Sequence, residues 1–230
     1  MNFTTKLLFS AGIAFASLSA SASLTPTYDT FGSLPAANFS GTGISNKAVA
    51  VDNFTGHYLG IFSNTITLGL TATSRYANLP AVTNNGKGTF TAAAGVDKTD
   101  ASSIADQLAK WNIDFYIGGA NLLNGYSYKL MIDIDPSANE NFKTFSLFLN
   151  DQDSWNVGAW NLELLDGYSF NPNLTGEYTV VLEADNASGA AVGRTSILVD
   201  VKNVPEPASL ALVGVALAGM GAAAARRRKA

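Results

Sequence analysis

Thr65-Ile66-Thr67-Leu68-Gly69-Leu70-Thr71-Ala72-Thr73 alternates polar or small residues with apolar ones without a break. Successive side chains of a strand point to opposite faces, so Ile66, Leu68, Leu70 and Ala72 share one face. A helix would scatter the two sets around its axis. The same period returns three times. Trp111, Ile113, Phe115 and Ile117 alternate with Asn112, Asp114 and Tyr116. Tyr126, Tyr128, Leu130, Ile132 and Ile134 alternate with Ser127, Lys129, Asp133 and Asp135. Tyr178, Val180, Leu182 and Ala184 alternate with Glu177, Thr179, Glu183 and Asp185.

Turn residues fill the intervals: Asn84-Asn85-Gly86, Asn124-Gly125, Asp135-Pro136, Asp166-Gly167 and Asn186-Ala187-Ser188-Gly189. The last is predicted to close a hairpin between the strand around Tyr178–Asp185 and the one around Ala191–Val201. Thr99–Lys110 breaks the period; it is either a polar loop or a short helix capped by Asp100 or Ser102. Ser23–Phe39 reads as a leader of unassigned docking. With no βαβ rhythm and no internal repeat, the fold class expected is all-β, an antiparallel β-sandwich of jelly-roll or immunoglobulin-like type.

The two ends read differently. Lys6 precedes the apolar run Leu7–Leu18, and Ala20-Ser21-Ala22 supplies the small-x-small pattern of a signal-peptidase site. The run is too short to cross ~30 Å of hydrocarbon. Cleavage is therefore expected after Ala22, leaving Ser23 as the mature N-terminus. At the other end Val204-Pro205-Glu206-Pro207 is followed by the uncharged stretch Ala208–Ala225 and by Arg226-Arg227-Arg228-Lys229. The prolines keep the chain extended ahead of a helix. At ~1.5 Å per residue the stretch would form a helix just under the ~30 Å of a typical hydrocarbon core and is read as a membrane span, and the basic cluster keeps the terminus cytoplasmic.

This tail resembles the PEP-CTERM sorting domain of Gram-negative bacteria that make exopolysaccharide. Pro205, Glu206 and Pro207 match the family's motif, and the helix and basic cluster follow in order. The resemblance implies exosortase, a membrane enzyme of transpeptidase or protease type, as partner. It implies that the motif is recognised, that the helix holds the substrate in the inner membrane, and that Arg226, Arg227, Arg228 and Lys229 stop transfer. The alternative is an ordinary single-pass anchor after a proline-rich stalk. An Ala- and Gly-rich helix is only marginally hydrophobic, which suits a segment held briefly and then cut. The domain plan expected is a signal peptide over 1–22, an extracellular β domain over 23–203 and the sorting signal over 204–230.

Composition limits the chemistry of the middle. Setting Lys6, Arg226 to Arg228, Lys229 and Glu206 aside from the 14 basic and 18 acidic residues leaves 9 against 17, a charge near −8. Nucleic acid and anionic lipid are therefore disfavoured partners. There is no cysteine, which removes disulfides, thiolate metal sites and cysteine nucleophiles. His57 is the single histidine, and Asn53-Phe54-Thr55-Gly56-His57-Tyr58 forms no catalytic motif; a strand-edge or turn position is expected. Of the glutamates, Glu140, Glu163, Glu177 and Glu183, the last two fall on an outward strand face as ordinary solvated charges, so no glycosidase pair stands out.

Oxygen-rich Asp133/Asp135 and Asp151/Asp153, the latter with Asn150 and Asn156, suggest at most a structural Ca²⁺. Asp151-Gln152-Asp153-Ser154-Trp155-Asn156 departs from an EF-hand loop, with Trp155 at a ligand position and Asn156 in place of glycine. No other cofactor is expected. Trp155 and Trp160, flanked by amide and acidic residues, form a candidate sugar platform, although opposite strand parity leaves at most one facing out. The leading expectation is a non-catalytic surface or biofilm-matrix protein, with a carbohydrate-binding module for matrix polysaccharide as the alternative. Its expected partners are the export machinery with signal peptidase, exosortase and, on the carbohydrate-binding alternative, matrix exopolysaccharide. Its expected location is transiently the inner membrane, then the cell surface or medium.

Overall fold

Every apolar position of the opening stretch is buried: Ile66, Leu68 and Leu70 are fully enclosed and Ala72 nearly so. They lie on one of eleven strands in a computed structural model that describes residues 25–204 except 60, 138 and 160–167. In chain order the strands are β1 (Thr30–Gly32), β2 (Val49–Tyr58), β3 (Phe62–Ser74), β4 (Thr83–Asn84), β5 (Thr89–Ala93) and β6 (Trp111–Gly118). They continue with β7 (Ser127–Asp133), β8 (Phe142–Leu147), β9 (Gln152–Asn156), β10 (Gly176–Asp185) and β11 (Ala191–Lys202). The expected signal peptide, the tail from Pro205 onward, Trp160, Glu163 and the expected Asp166-Gly167 turn lie outside the described residues.

One sheet has the order β1-β2-β3-β6-β9 and the other β4-β5-β11-β10-β7-β8. Pairing is antiparallel except between β5 and β11, which run parallel, Thr89 opposite Leu198. This pair departs from the purely antiparallel expectation. Parallel neighbours need a long connection, and here it is the whole chain from β5 to β11.

The inward faces share one core. Leu68, Leu70, Trp111, Ile113 and Phe115 of the first sheet meet Leu130, Ile132, Val180, Leu182, Ile197 and Val199 of the second. Trp111 lies 6.0 Å from Phe170 in an edge-to-face arrangement and 6.4 Å from Tyr178. The local expectations hold at three turns. Asn186 Oδ1 accepts from the N–H groups of Ser188 and Ala190 and closes the β10–β11 hairpin. Gly125 takes the left-handed conformation, φ 66°, after a one-turn 3-10 helix, Leu122–Asn124. Asp100 caps α1 (Ala101–Ala105) by accepting from Ser103 N–H at 2.7 Å.

Two features escape the period-two reading. Glu183 is not a solvated charge; it is only 6% exposed. Lys129 and Arg194, directly opposite it on β7 and β11, reach its carboxylate at 2.8 and 2.9 Å, and Lys129 also holds Asp185 at 2.7 Å. Glu177, at the start of β10, is half-buried. The leader docks as well. Asp29 N–H donates to Val51 O, and β1 pairs with β2. Residues 33–48 then fold back over the outer face of the first sheet. There Ala37, Phe39, Val49 and Val51 make a second small core with Leu34, Ile44 and Tyr116. Gln152 Oε1 fastens this strap by accepting from the N–H groups of Asn38 and Phe39, each at 3.0 Å.

Candidate functional site

Where the strap meets β3 it leaves a cleft of about 460 Å³. Its walls are hydroxyl-rich, with Thr42, Ser45, Thr71 and Thr73, over a floor that includes Ala72 and Phe90. Arg75 is its charged lining residue, and its guanidinium is committed to the buried Asp97 at 3.0 Å and lies over the Tyr76 ring. No carboxylate or imidazole lines the cleft.

Asp114, expected on the outward face of β6, does face outward but is fully buried. Its neighbours on that face, Thr71 and Tyr116, are residues on which the strap packs. Thr73 Oγ1 donates to Asp114 Oδ2 at 2.7 Å, whereas Oδ1 has no well-formed hydrogen bond. Burial pushes the carboxyl up to about 6; the Ser154 and Thr73 hydroxyls pull it back, and the Asp153 charge raises it further. An unfolded chain releases that proton near pH 4. The folded state therefore holds the extra proton between pH 4 and 6, and its stability declines as pH rises through about 6. Asp114→Asn keeps the Thr73 bond and removes the buried charge. Thermal melts should show it more stable than the parent at pH 7.5, by on the order of 2 kcal/mol, and equal to it at pH 4. Equal melting at both pH values would count against this.

The other candidates do not converge. Asp153 spends one oxygen on Ser154 N–H at 2.8 Å and the other on Trp155 Nε1–H at 2.9 Å. Asp151 accepts from Phe148 N–H at 3.4 Å. Asp133 Oδ1 accepts from the N–H groups of Asp135 and Asn141, closing the β7–β8 loop. Among the described residues no group of three or more histidines and carboxylates is placed to hold a metal ion. Asn156 is buried and braces β6, its amide nitrogen donating to Ala109 O and Trp111 O. His57 sits exposed on β2, its N–H donating to the Tyr126 hydroxyl.

Trp155 is half-buried, packed edge-to-face on Phe115 at 5.0 Å and on Phe145 at 5.7 Å. Its indole thus serves the core more than a flat outer face. Trp155 pairs with Ile113, an inward residue of β6, and so is the inward one of the two positions that strand parity allows.

The described residues define a two-sheet β domain whose last strand ends at Lys202, with Val204 exposed beyond it. Residues 203–229, directly after that strand, match the PEP-CTERM protein-sorting motif. The motif implies an exported, membrane-passing protein targeted to exosortase. No curated protein and no solved structure matches the chain. Among the described residues no helix is long and apolar enough to cross a membrane.

Proposed function

We propose that the chain is a non-catalytic structural protein of the cell surface or extracellular matrix in an exopolysaccharide-producing Gram-negative bacterium. In this reading the signal peptide, with Ala20 and Ala22 before the cut and Ser23 after it, starts export. The helix over 208–225 then parks the chain in the inner membrane, with Arg226–Lys229 on the cytoplasmic side. Exosortase acts at Pro205-Glu206-Pro207 and releases or transfers the folded domain.

The observation that carries this is the position of the sorting motif. It begins one residue after β11 ends, so a cut at the motif removes no strand and exposes no core. A cleft lined by no carboxylate or imidazole, together with the committed carboxylates, supports a structural role over hydrolysis. The packing of Trp155 supports it over a sugar platform, and the engagement of both Asp153 oxygens within the protein favours a domain that needs no calcium.

Cell fractionation of the native host tests the reading. The protein should be recovered with washed extracellular matrix and cell surface, and EDTA should leave its melting temperature unchanged. Recovery with the cytoplasm, or hydrolysis of the host's exopolysaccharide by the purified protein, would reject it.

A further inference from the structure

Three loops meet at the end of the domain remote from the sorting tail, and side-chain amides stitch them together. Asn64 on β3 donates to Gly119 O of the β6–β7 loop and accepts from Asn124 Nδ2 at 3.1 Å. Asn150 of the β8–β9 loop accepts from Ala120 N–H at 2.8 Å and donates to Ala120 O at 2.9 Å. This platform displays large apolar side chains to solvent: Ile61 is 81% exposed, Leu122 80% and Phe148 82%, with Leu59, Leu123 and Phe62 about half to two-thirds exposed.

Charge is absent from the same end. Residues 53–70, 115–128, 144–150 and 186–193 contain no Asp, Glu, Lys or Arg. The charges that flank these segments include Asp151, engaged with Phe148 N–H, Asp52, which accepts from Arg194 N–H, and the ion-paired set Lys129, Arg194, Glu183 and Asp185.

We propose that this end is a lipid-docking tip that seats Leu59, Ile61, Phe62, Leu122, Leu123 and Phe148 in the interface of an electrically neutral bilayer. Exposed apolar clusters of this kind mark interaction surfaces. Apolar side chains carried on three separate loops suit a fluid phase that closes around them. A rigid partner needs matched hollows, and a second copy of this end presents the same protrusions. Backbone entering an apolar phase must have its polar groups satisfied within the protein; the asparagine stitches do this for Gly119 O and for the N–H and O of Ala120 in the β6–β7 loop. The net charge near −8 elsewhere on the exported part, after the exclusions made above, repels anionic lipid. Neutral headgroups are therefore the fitting class. Because β11 ends at the opposite pole, the tip points away from the membrane that holds the tail.

The absence of native cysteine permits a direct test on the full chain. Leu122→Cys, Phe148→Cys and, at the opposite pole, the exposed Ser137→Cys each receive an environment-sensitive fluorophore. The protein is carried in nanodiscs through its tail, and protein-free phosphatidylcholine vesicles are added. The labels at 122 and 148 should shift to the blue and lose most of their quenching by iodide, with the label at 137 unchanged. Phosphatidylglycerol vesicles should act more weakly, the difference shrinking in high salt. Full iodide access at 122 and 148 with phosphatidylcholine present would overturn the proposal. So would protection that appears without vesicles and grows with protein concentration, the signature of a second copy.

Discussion

Replacing Pro205, Glu206 and Pro207 by alanine is expected to leave the protein in the host's membrane fraction with its tail attached, and the mature surface form nearly absent. Proline restricts φ and biases the residue before it to extended conformations, the shape in which a peptide presents its side chains to an enzyme groove. Glu206 adds the single carboxylate of the tail. A hydrogen bond to a charged group contributes about 1.5–3 kcal/mol, so its loss alone should slow processing about 10- to 100-fold. The domain's own stability should not move, because the motif starts beyond β11. Thermal melts of parent and variant that coincide, beside surface yields that diverge, would separate a sorting defect from a folding defect. Normal surface yield from the triple variant would remove the motif from the mechanism.

The largest expected effect on stability comes from Trp111→Ala. Trp111 is 1% exposed and opens β6, the strand between β3 and β9. Its ring closes one end of the core against Phe170 and Tyr178, which lie 5.1 Å from each other. Removing a buried aromatic costs about 3–5 kcal/mol, part lost transfer energy and part cavity. For a domain of this size that corresponds to a fall of roughly 10 °C in melting temperature. Trp111→Phe should recover most of it. A fall of only one or two degrees would mean that the two sheets do not close over this ring as described.

Much of this architecture was legible in the chain because strand burial is a local signal. Ile66, Leu68, Leu70, Trp111, Ile113 and Phe115 face inward as their alternation demands, and Asn186, Gly125 and Asp100 act where turn and cap chemistry places them. What was hidden depends on residues far apart in sequence. The strap over 33–48 has no period, and Phe39 enters its small core with φ 52°, a left-handed backbone that no residue type there announces. Its fastening to Gln152 spans more than a hundred positions. Glu183 looks solvated until Lys129 and Arg194 arrive from neighbouring strands. Asp114 faces outward as read, yet the strap turns that outward face into an interior. Trp155 joined the core rather than a platform because β9 pairs with β6 in a register that the sequence does not mark.

The sorting tail was the most legible functional feature, since its motif, apolar stretch and basic cluster are contiguous and need no fold to bring them together. Intact-mass spectrometry of the protein from the surface or medium of its native host tests that reading most directly. Sorting by exosortase predicts a species that begins at Ser23 and ends between Pro205 and Ala208. A surface species still carrying Leu210–Lys229 would contradict it, and the tail would then be a lasting anchor.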